Sequence, residues 1–267
     1  MSPVLDVADD ARVRVLTLNR PDALNAFNEE LYHAAGNALE DAAARDDIAC
    51  VVITGAGRAF SAGQDLGEMG RLRVEPDVDI EAARASAGNQ VGFPHFLDTL
   101  AAFPKPAIAA VNGIGVGIGM TMLLHVDIAF IASTARLRAP FVPLGVVPEA
   151  AGSLLMPAVM GNQRAALKLY TGDWITAGEA VECGLALRSV APEELMDVTI
   201  DVARRIAAMP VASLRATKAL VVEGRIDAVR AARAREDEMF TRMIGRPANL
   251  EAITAFLEKR EPDFSEL

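Results

Sequence analysis

Apolar and polar positions along the first 190 residues switch between strand and helix periods. Residues 13–18 (VRVLTL) are β-branched and apolar and predict a strand. Residues 28–43 predict a helix. Asn28 stands at its cap, Glu29 and Glu30 at its positive end, and Leu31, Ala35, Ala38, Leu39 and Ala42 form an apolar stripe. Residues 49–54 (ACVVIT) and 106–111 (PAIAAV) are short continuous apolar runs, the mark of strands buried on both faces. Residues 116–124 then read as a buried helix and 126–131 (VDIAFI) as another strand. Thr176 to Glu179 spells a capping box that opens a short helix ending near Gly184, with a strand over 185–190. Beyond residue 192 four amphipathic segments follow, at 193–208, 211–222, 226–243 and 248–259, with no strand pattern. Strand–helix alternation followed by helices alone predicts an α/β fold. It divides the chain into a core over 1–195 that carries the site and a helical region over 196–267. That region is expected to pack against a neighbouring subunit. Residues 71–90 are polar and poorly periodic, as expected of a loop or loose helix over a site.

Composition narrows the function. Of 267 residues, 26 are Lys or Arg and 36 are Asp or Glu, a net charge of −10 that disfavours a nucleic-acid or anionic-membrane partner. Pro106–Val126 contains no charged residue and is long enough to span a bilayer. Its four glycines and Asn112, and flanks without a Trp/Tyr belt, fit a buried strand, a turn and a buried helix better. The first twelve residues are acidic and lack the apolar core of a secretory signal. Cys50 and Cys183 are far apart in apolar surroundings, which predicts reduced thiols and a cytoplasmic location. His33, His95 and His125 are isolated, so no metal site is expected. No nucleophile elbow is present.

Three segments carry candidate chemistry. In Arg58-Ala-Phe-Ser-Ala-Gly-Gln-Asp-Leu66, small residues after a buried strand let a ligand approach the backbone, and Asp65 is placed to cap the next turn. A plain strand-to-helix turn explains the same residues. In Asn112-Gly-Ile-Gly-Val-Gly-Ile-Gly-Met-Thr121 the alternating glycines match neither a dinucleotide nor a P-loop fingerprint. They lead to a helix N-terminus, where free N–H groups favour developing negative charge. Close helix packing is the other reason for such glycines. In the third segment, residues 139–153, Glu149 follows Pro148 amid apolar residues. A buried carboxylate there would be desolvated and become a base suited to neutral pH. A solvated glutamate in a first helical turn also fits.

Together these segments resemble the crotonase superfamily, the enoyl-CoA hydratase/isomerase family. The resemblance runs through Leu18-Asn-Arg-Pro-Asp-Ala-Leu-Asn-Ala26, Ala59-Phe-Ser-Ala-Gly-Gln-Asp65 and Pro106-Ala-Ile-Ala-Ala-Val-Asn-Gly113. It continues in Thr171-Gly-Asp-Trp-Ile-Thr-Ala177 and Ala255-Phe-Leu-Glu-Lys-Arg260. It implies a crotonase (ClpP-like) spiral of ββα units with a helical C-terminal part, and trimers that often pair as hexamers. It also implies acyl-CoA substrates, with no cofactor beyond the CoA thioester itself. The family's reaction passes through a thioester enolate held between two backbone N–H groups. By motif position these belong to Gln64 and Ile118. Asn25, Ala26, Ser61, Ala62, Gln64, Asp65, Leu66 and Gly117 fall at CoA- or acyl-binding positions. Phe141, Leu144 and the 66–96 segment would shape the acyl pocket. Phe256 and Lys259 match terminal positions that can reach the CoA of a neighbouring subunit, although helix packing and a solvated lysine explain them as well.

Two departures set the expected activity. Hydratases of the family carry two catalytic glutamates, and the matching positions here are Thr121 and Phe141. Thr121 and Phe141 cannot supply the pair of groups, one to orient water and one to protonate the α-carbon, that hydration needs. The single carboxylate at Glu149 resembles the Δ3,Δ2-enoyl-CoA isomerase branch instead. One base is sufficient for a 1,3-proton shift, so the sequence predicts an isomerase of unsaturated acyl-CoA serving fatty-acid oxidation. Another crotonase reaction using the same acid, or a non-catalytic binder of CoA thioesters, are the alternatives.

Overall fold

The computed structural model describes residues 3–65 and 91–267. β1 (Leu5–Asp10) and β2 (Val13–Leu18) pair antiparallel, and β3 (Cys50–Gly55) runs parallel to β2. β5 (Ala107–Val111), β7 (Ile128–Ala132) and β10 (Arg188–Val190) extend this sheet in the order β1-β2-β3-β5-β7-β10. The apolar runs predicted as buried strands are its centre, where β5 is wholly inaccessible. A second sheet, in the order β4-β6-β8-β9, is built from much shorter strands: β4 (Ala59–Ser61), β6 (Ile114–Val116), β8 (Arg136–Arg138) and β9 (Ile175–Thr176). Each of β3, β5 and β7 turns within a few residues into a short strand of the second sheet, β4, β6 and β8 respectively. Repetition of this strand pair before each helix is the expected spiral of ββα units.

The sequence pattern missed β4, β6, β8 and β9, which at two or three residues are too short to show a period, and read β10 as a longer strand over 185–190. It also missed β1, where the four exposed positions, Asp6, Val7, Ala8 and Asp9, show no alternation of apolar and polar residues. Over 116–124 the structure gives β6, one helical turn and a 3-10 turn in place of a continuous helix. The glycines let this backbone bend sharply between sheet and turn. Among the described residues no helix is long and apolar enough to cross a membrane.

Helix α1 (Glu29–Ala44) is capped by the Asn28 side chain and packs on α2 (Gly92–Ala101), which the sequence pattern did not predict. After β6 comes α3 (Ile118–Thr121), then α4 (Gly152–Met160), α5 (Asn162–Thr171) and α6 (Ala177–Glu182). The Thr176–Glu179 capping box is present at α6. Four helices close the chain: α7 (Leu195–Ala207), α8 (Val211–Glu223), α9 (Ile226–Met243) and α10 (Pro247–Glu258). α7 lies on the large sheet, where Cys50 Sγ approaches Ala203 O and Arg12 donates to Ala207 O. α9 packs on α4, next to the segment that carries Glu149.

Candidate active site

β4 and β6 are parallel neighbours, and each ends in a glycine turn. Gly63 (φ +93°) follows β4 and Gly117 (φ +52°, ψ −123°) follows β6. A side-chain carbon on Gly63 would lie 2.7 Å from Val116 O, so only glycine fits against the neighbouring turn. A side-chain carbon on Gly117 would lie 3.9 Å from both Gly63 Cα and Glu149 Oε1. The two turns and the Glu149 carboxyl therefore border one small space.

The N–H groups of both turns are directed by their pairing. Gln64 bridges Phe27, with Phe27 N donating to Gly63 O (2.7 Å) and Asp65 N to Phe27 O (2.8 Å). In a parallel bridge the paired residue's own N–H points the other way. The Gln64 N–H accordingly has no acceptor among the described residues. Ile118 opens α3, and its N–H is likewise uncommitted, whereas the next turn closes through Met120 N and Thr121 N onto Gly117 O. Two free backbone donors next to a carboxyl are what a thioester enolate requires. The Gln64 side chain is turned away, accepting from Tyr32 Oη at 2.8 Å. Tyr32 stacks on Phe27 at 4.7 Å, with Phe93 and Phe96 around it, so an aromatic cluster fixes this turn from behind.

Glu149 sits in a strained loop. The two residues after it, Ala150 and Ala151, both adopt left-handed backbone (φ +59° and +57°), which costs about 1–2 kcal/mol each for a residue with a Cβ. Three groups hold them there. His125 Nε2 donates to Ala150 O at 2.8 Å. One oxygen of Glu236 accepts from Ala151 N (2.7 Å), and the other accepts from Ser153 N (2.8 Å) and Ser153 Oγ (2.5 Å). Hydrogen bonds to an ionised group contribute about 1.5–3 kcal/mol, enough to offset the left-handed turn. The Glu149 carboxyl itself receives no hydrogen bond from the described residues, although part of the side chain remains accessible. Desolvation by the surrounding protein, then the like charges of Glu236 and Asp237, push it from 4.5 up to about 8. Burial pushes His125 down to about 4, so its imidazole is neutral and Nε2 carries the donated proton.

The remaining predicted positions divide. Thr121 is buried, with Oγ1 bonded to Gly117 O at 3.2 Å, and Phe141 is buried. No carboxylate replaces the two hydratase glutamates at these positions. Asn25 is fully enclosed (φ +56°). Its side chain accepts from Arg20 N and donates to Ala56 O and Ala59 O, and its N–H donates to Arg20 O, so Asn25 braces the rim from within. Ser61 Oγ joins Asn25 O to Gly63 N, and Ala62 N bonds Leu24 O. Arg20 ties Ala26 O to the Asp65 carboxylate at 2.9 Å. Residues 25–26 and 61–65 thus form one cross-linked rim beside the site. Leu144 is partly buried, its carbonyl held by Asn249 of α10. Phe256 and Lys259 end α10 and are exposed. Leu66 and the 71–90 segment lie outside the described residues.

A family model described as enoyl-CoA hydratase/isomerase matches residues 9–266. The chain belongs to the enoyl-CoA hydratase/isomerase family. It is 34% identical to 1,2-epoxyphenylacetyl-CoA isomerase of Escherichia coli K12 over 95% of each chain. It is 36% identical to the 2,3-dehydroadipyl-CoA hydratase of the same organism, over 97% of this chain and 98% of that one. The crystal structure of an enoyl-CoA hydratase/isomerase from Pseudoalteromonas atlantica T6c superposes with a TM-score of 0.88 at 34% identity, covering 98% and 100%. Within this enoyl-CoA hydratase/isomerase the sequence reading overlooked Glu236, His125 and Tyr32. For Glu236 a signal exists: Val229, Ala232, Arg233 and Glu236 recur at helical spacing and are the buried face of α9. Two charges on a buried stripe point to a specific partner. His125 and Tyr32 carry no such local mark, because their partners are 25 and 32 residues distant.

Proposed function

We propose that the protein isomerises the double bond of a 3-enoyl-CoA to the conjugated 2-enoyl-CoA, with Glu149 as the single acid–base. The observation that carries this reading is that, among the described residues, the Glu149 carboxyl alone stands at the mouth of both glycine turns, with Thr121 and Phe141 where a hydratase has its glutamates. The thioester oxygen is held by the N–H groups of Gln64 and Ile118. Glu149 takes a C2 proton, the C2–H electron pair moves into the thioester, and a dienolate forms. The protonated Glu149 then delivers the same proton to C4, and the C2–C3 double bond forms. No atom is gained or lost, and no cofactor enters. A base near pH 8 is matched to this exchange.

The relative named 1,2-epoxyphenylacetyl-CoA isomerase supports a second reading, in which the same residues isomerise a ring-derived CoA thioester. Exposed Leu220, Val221, Phe256 and Leu257 supply apolar surface that trimer formation would cover. In that assembly Phe256 and Lys259 would meet a neighbour's CoA.

The test is turnover of 3-hexenoyl-CoA beside 2-hexenoyl-CoA, followed by the ultraviolet absorbance of the conjugated thioester. Conversion of the first with little hydration of the second is expected. Glu149→Gln should lower kcat by roughly 10³-fold or more while CoA-ester affinity is retained. Fast hydration of 2-hexenoyl-CoA, or retained isomerisation in Glu149→Gln, would overturn the reading.

A further inference from the structure

Glu236 of α9 is a buried carboxylate outside the catalytic constellation, and both its oxygens are engaged on the turn that follows Glu149. A helix-stabilising role alone does not account for this arrangement. The turn it grips holds two alanines in left-handed backbone, a conformation that alanine leaves when unconstrained. His125 holds the same turn at the Ala150 carbonyl from the other side. Glu149 is one residue upstream, and its own carbonyl accepts from Gly152 N (2.8 Å), so the turn fixes where its side chain leaves the backbone.

We propose that Glu236, assisted by His125, is a positioning residue that locks the Ala150–Ala151 turn and thereby aims the Glu149 carboxyl at the space between Gly63 and Gly117. This rests on Glu149 being the base. Among the described residues the charged groups acting on Glu149 are Glu236 and Asp237, both from α9 and both pushed by burial above the ordinary carboxyl range, while His125, after α3, is neutral. Glu236 therefore acts twice: it fixes the carboxyl in space, and its negative charge keeps the neighbouring acid protonated to higher pH. Glutamine at 236 cannot reproduce this, because its amide nitrogen would face an N–H donor at Ala151 or Ser153.

The test uses the full chain and 3-hexenoyl-CoA. Glu236→Gln should lower kcat roughly 10–100-fold with KM within about threefold. The acid limb of kcat/KM should move to lower pH. Adding Ala151→Gly to Glu236→Gln should recover at least about threefold in kcat, because glycine takes the left-handed turn unaided. Unchanged kcat in folded Glu236→Gln would overturn the proposal, and so would a loss that only tracks the folded fraction with the pH limb unmoved. Absence of recovery on adding Ala151→Gly would overturn the turn-locking role. Should Glu236→Gln fail to fold, Ser153→Ala removes one exposed donor from the same carboxylate. It should lower kcat about three- to tenfold, and no effect would overturn the proposal. A wild-type protein inert on 3-hexenoyl-CoA would instead remove the isomerase reading. The clamp would then be judged by whether Glu236→Gln shifts the Glu149 titration seen in unfolding.

Discussion

Replacing Glu149 by glutamine should stabilise the fold, and increasingly so as pH rises. Glu149 ionises near its ordinary 4.5 in the unfolded chain but only at about 8 in the native one. Between those values the native state holds more protons than the unfolded state, so raising the pH favours unfolding. Each tenfold difference in proton affinity is worth about 1.4 kcal/mol. The linkage therefore costs the wild type under about 1 kcal/mol at pH 5 and up to roughly 4 kcal/mol at pH 8. Part of the Glu149 side chain is accessible, and screening there brings the expected pH-dependent difference to about 2–3 kcal/mol. Glutamine is neutral throughout and escapes this penalty. For a chain of 267 residues, 1 kcal/mol moves the unfolding midpoint by about 2 °C. Glu149→Gln should thus melt close to wild type at pH 5 and about 4–6 °C above it at pH 8. The assay is thermal unfolding by circular dichroism at matched ionic strength and protein concentration. Parallel curves for the two proteins from pH 5 to 8 would refute the reasoning. Glu149 would then titrate as an ordinary exposed glutamate, and nothing would tune it for catalysis.

For the wild type, kcat/KM on 3-hexenoyl-CoA should rise with pH to a midpoint near 8, because only ionised Glu149 removes a proton; a flat profile from pH 6 to 9 would contradict this. Gly117→Ala should lower kcat by roughly 10²–10³-fold in a folded protein, since alanine cannot hold φ +52° with ψ −123° and the Ile118 donor is misdirected; circular dichroism separates this from unfolding. Thr121→Val should leave kcat within about threefold, because among the described residues Thr121 Oγ1 bonds only Gly117 O of its own turn; a large loss would show that the hydroxyl takes part in proton transfer.

Legibility in the sequence followed the length of each feature. Central strands such as 107–111 and helices such as α9 and α10 repeat their pattern often enough to be read within a few residues of their observed ends. β4, β6, β8 and β9 span two or three residues, and no periodicity accumulates over so short a run. The glycines of 113–119 read as the start of a longer helix because apolar residues follow them. The structure uses them instead for a change of direction between sheets. Glu149 was legible as a carboxylate in an apolar stretch. Its setting was not, because Glu236 lies 87 residues away in sequence and the left-handed pair follows from contacts, not from any preference of alanine.

The pairing of each long strand with a short one separates two tasks. The N–H donors issue from strand ends of the second sheet, so their spacing is set by backbone register and is indifferent to the side chains at 64 and 118. The Glu149 carboxyl is supplied from outside both sheets, beside a turn gripped by a distant helix. Replacing Glu149 therefore leaves both donors where the strand register puts them. Under the proposed mechanism the hold on the thioester and the choice of proton-transfer group are separate, so a substitution at the second leaves the first in place.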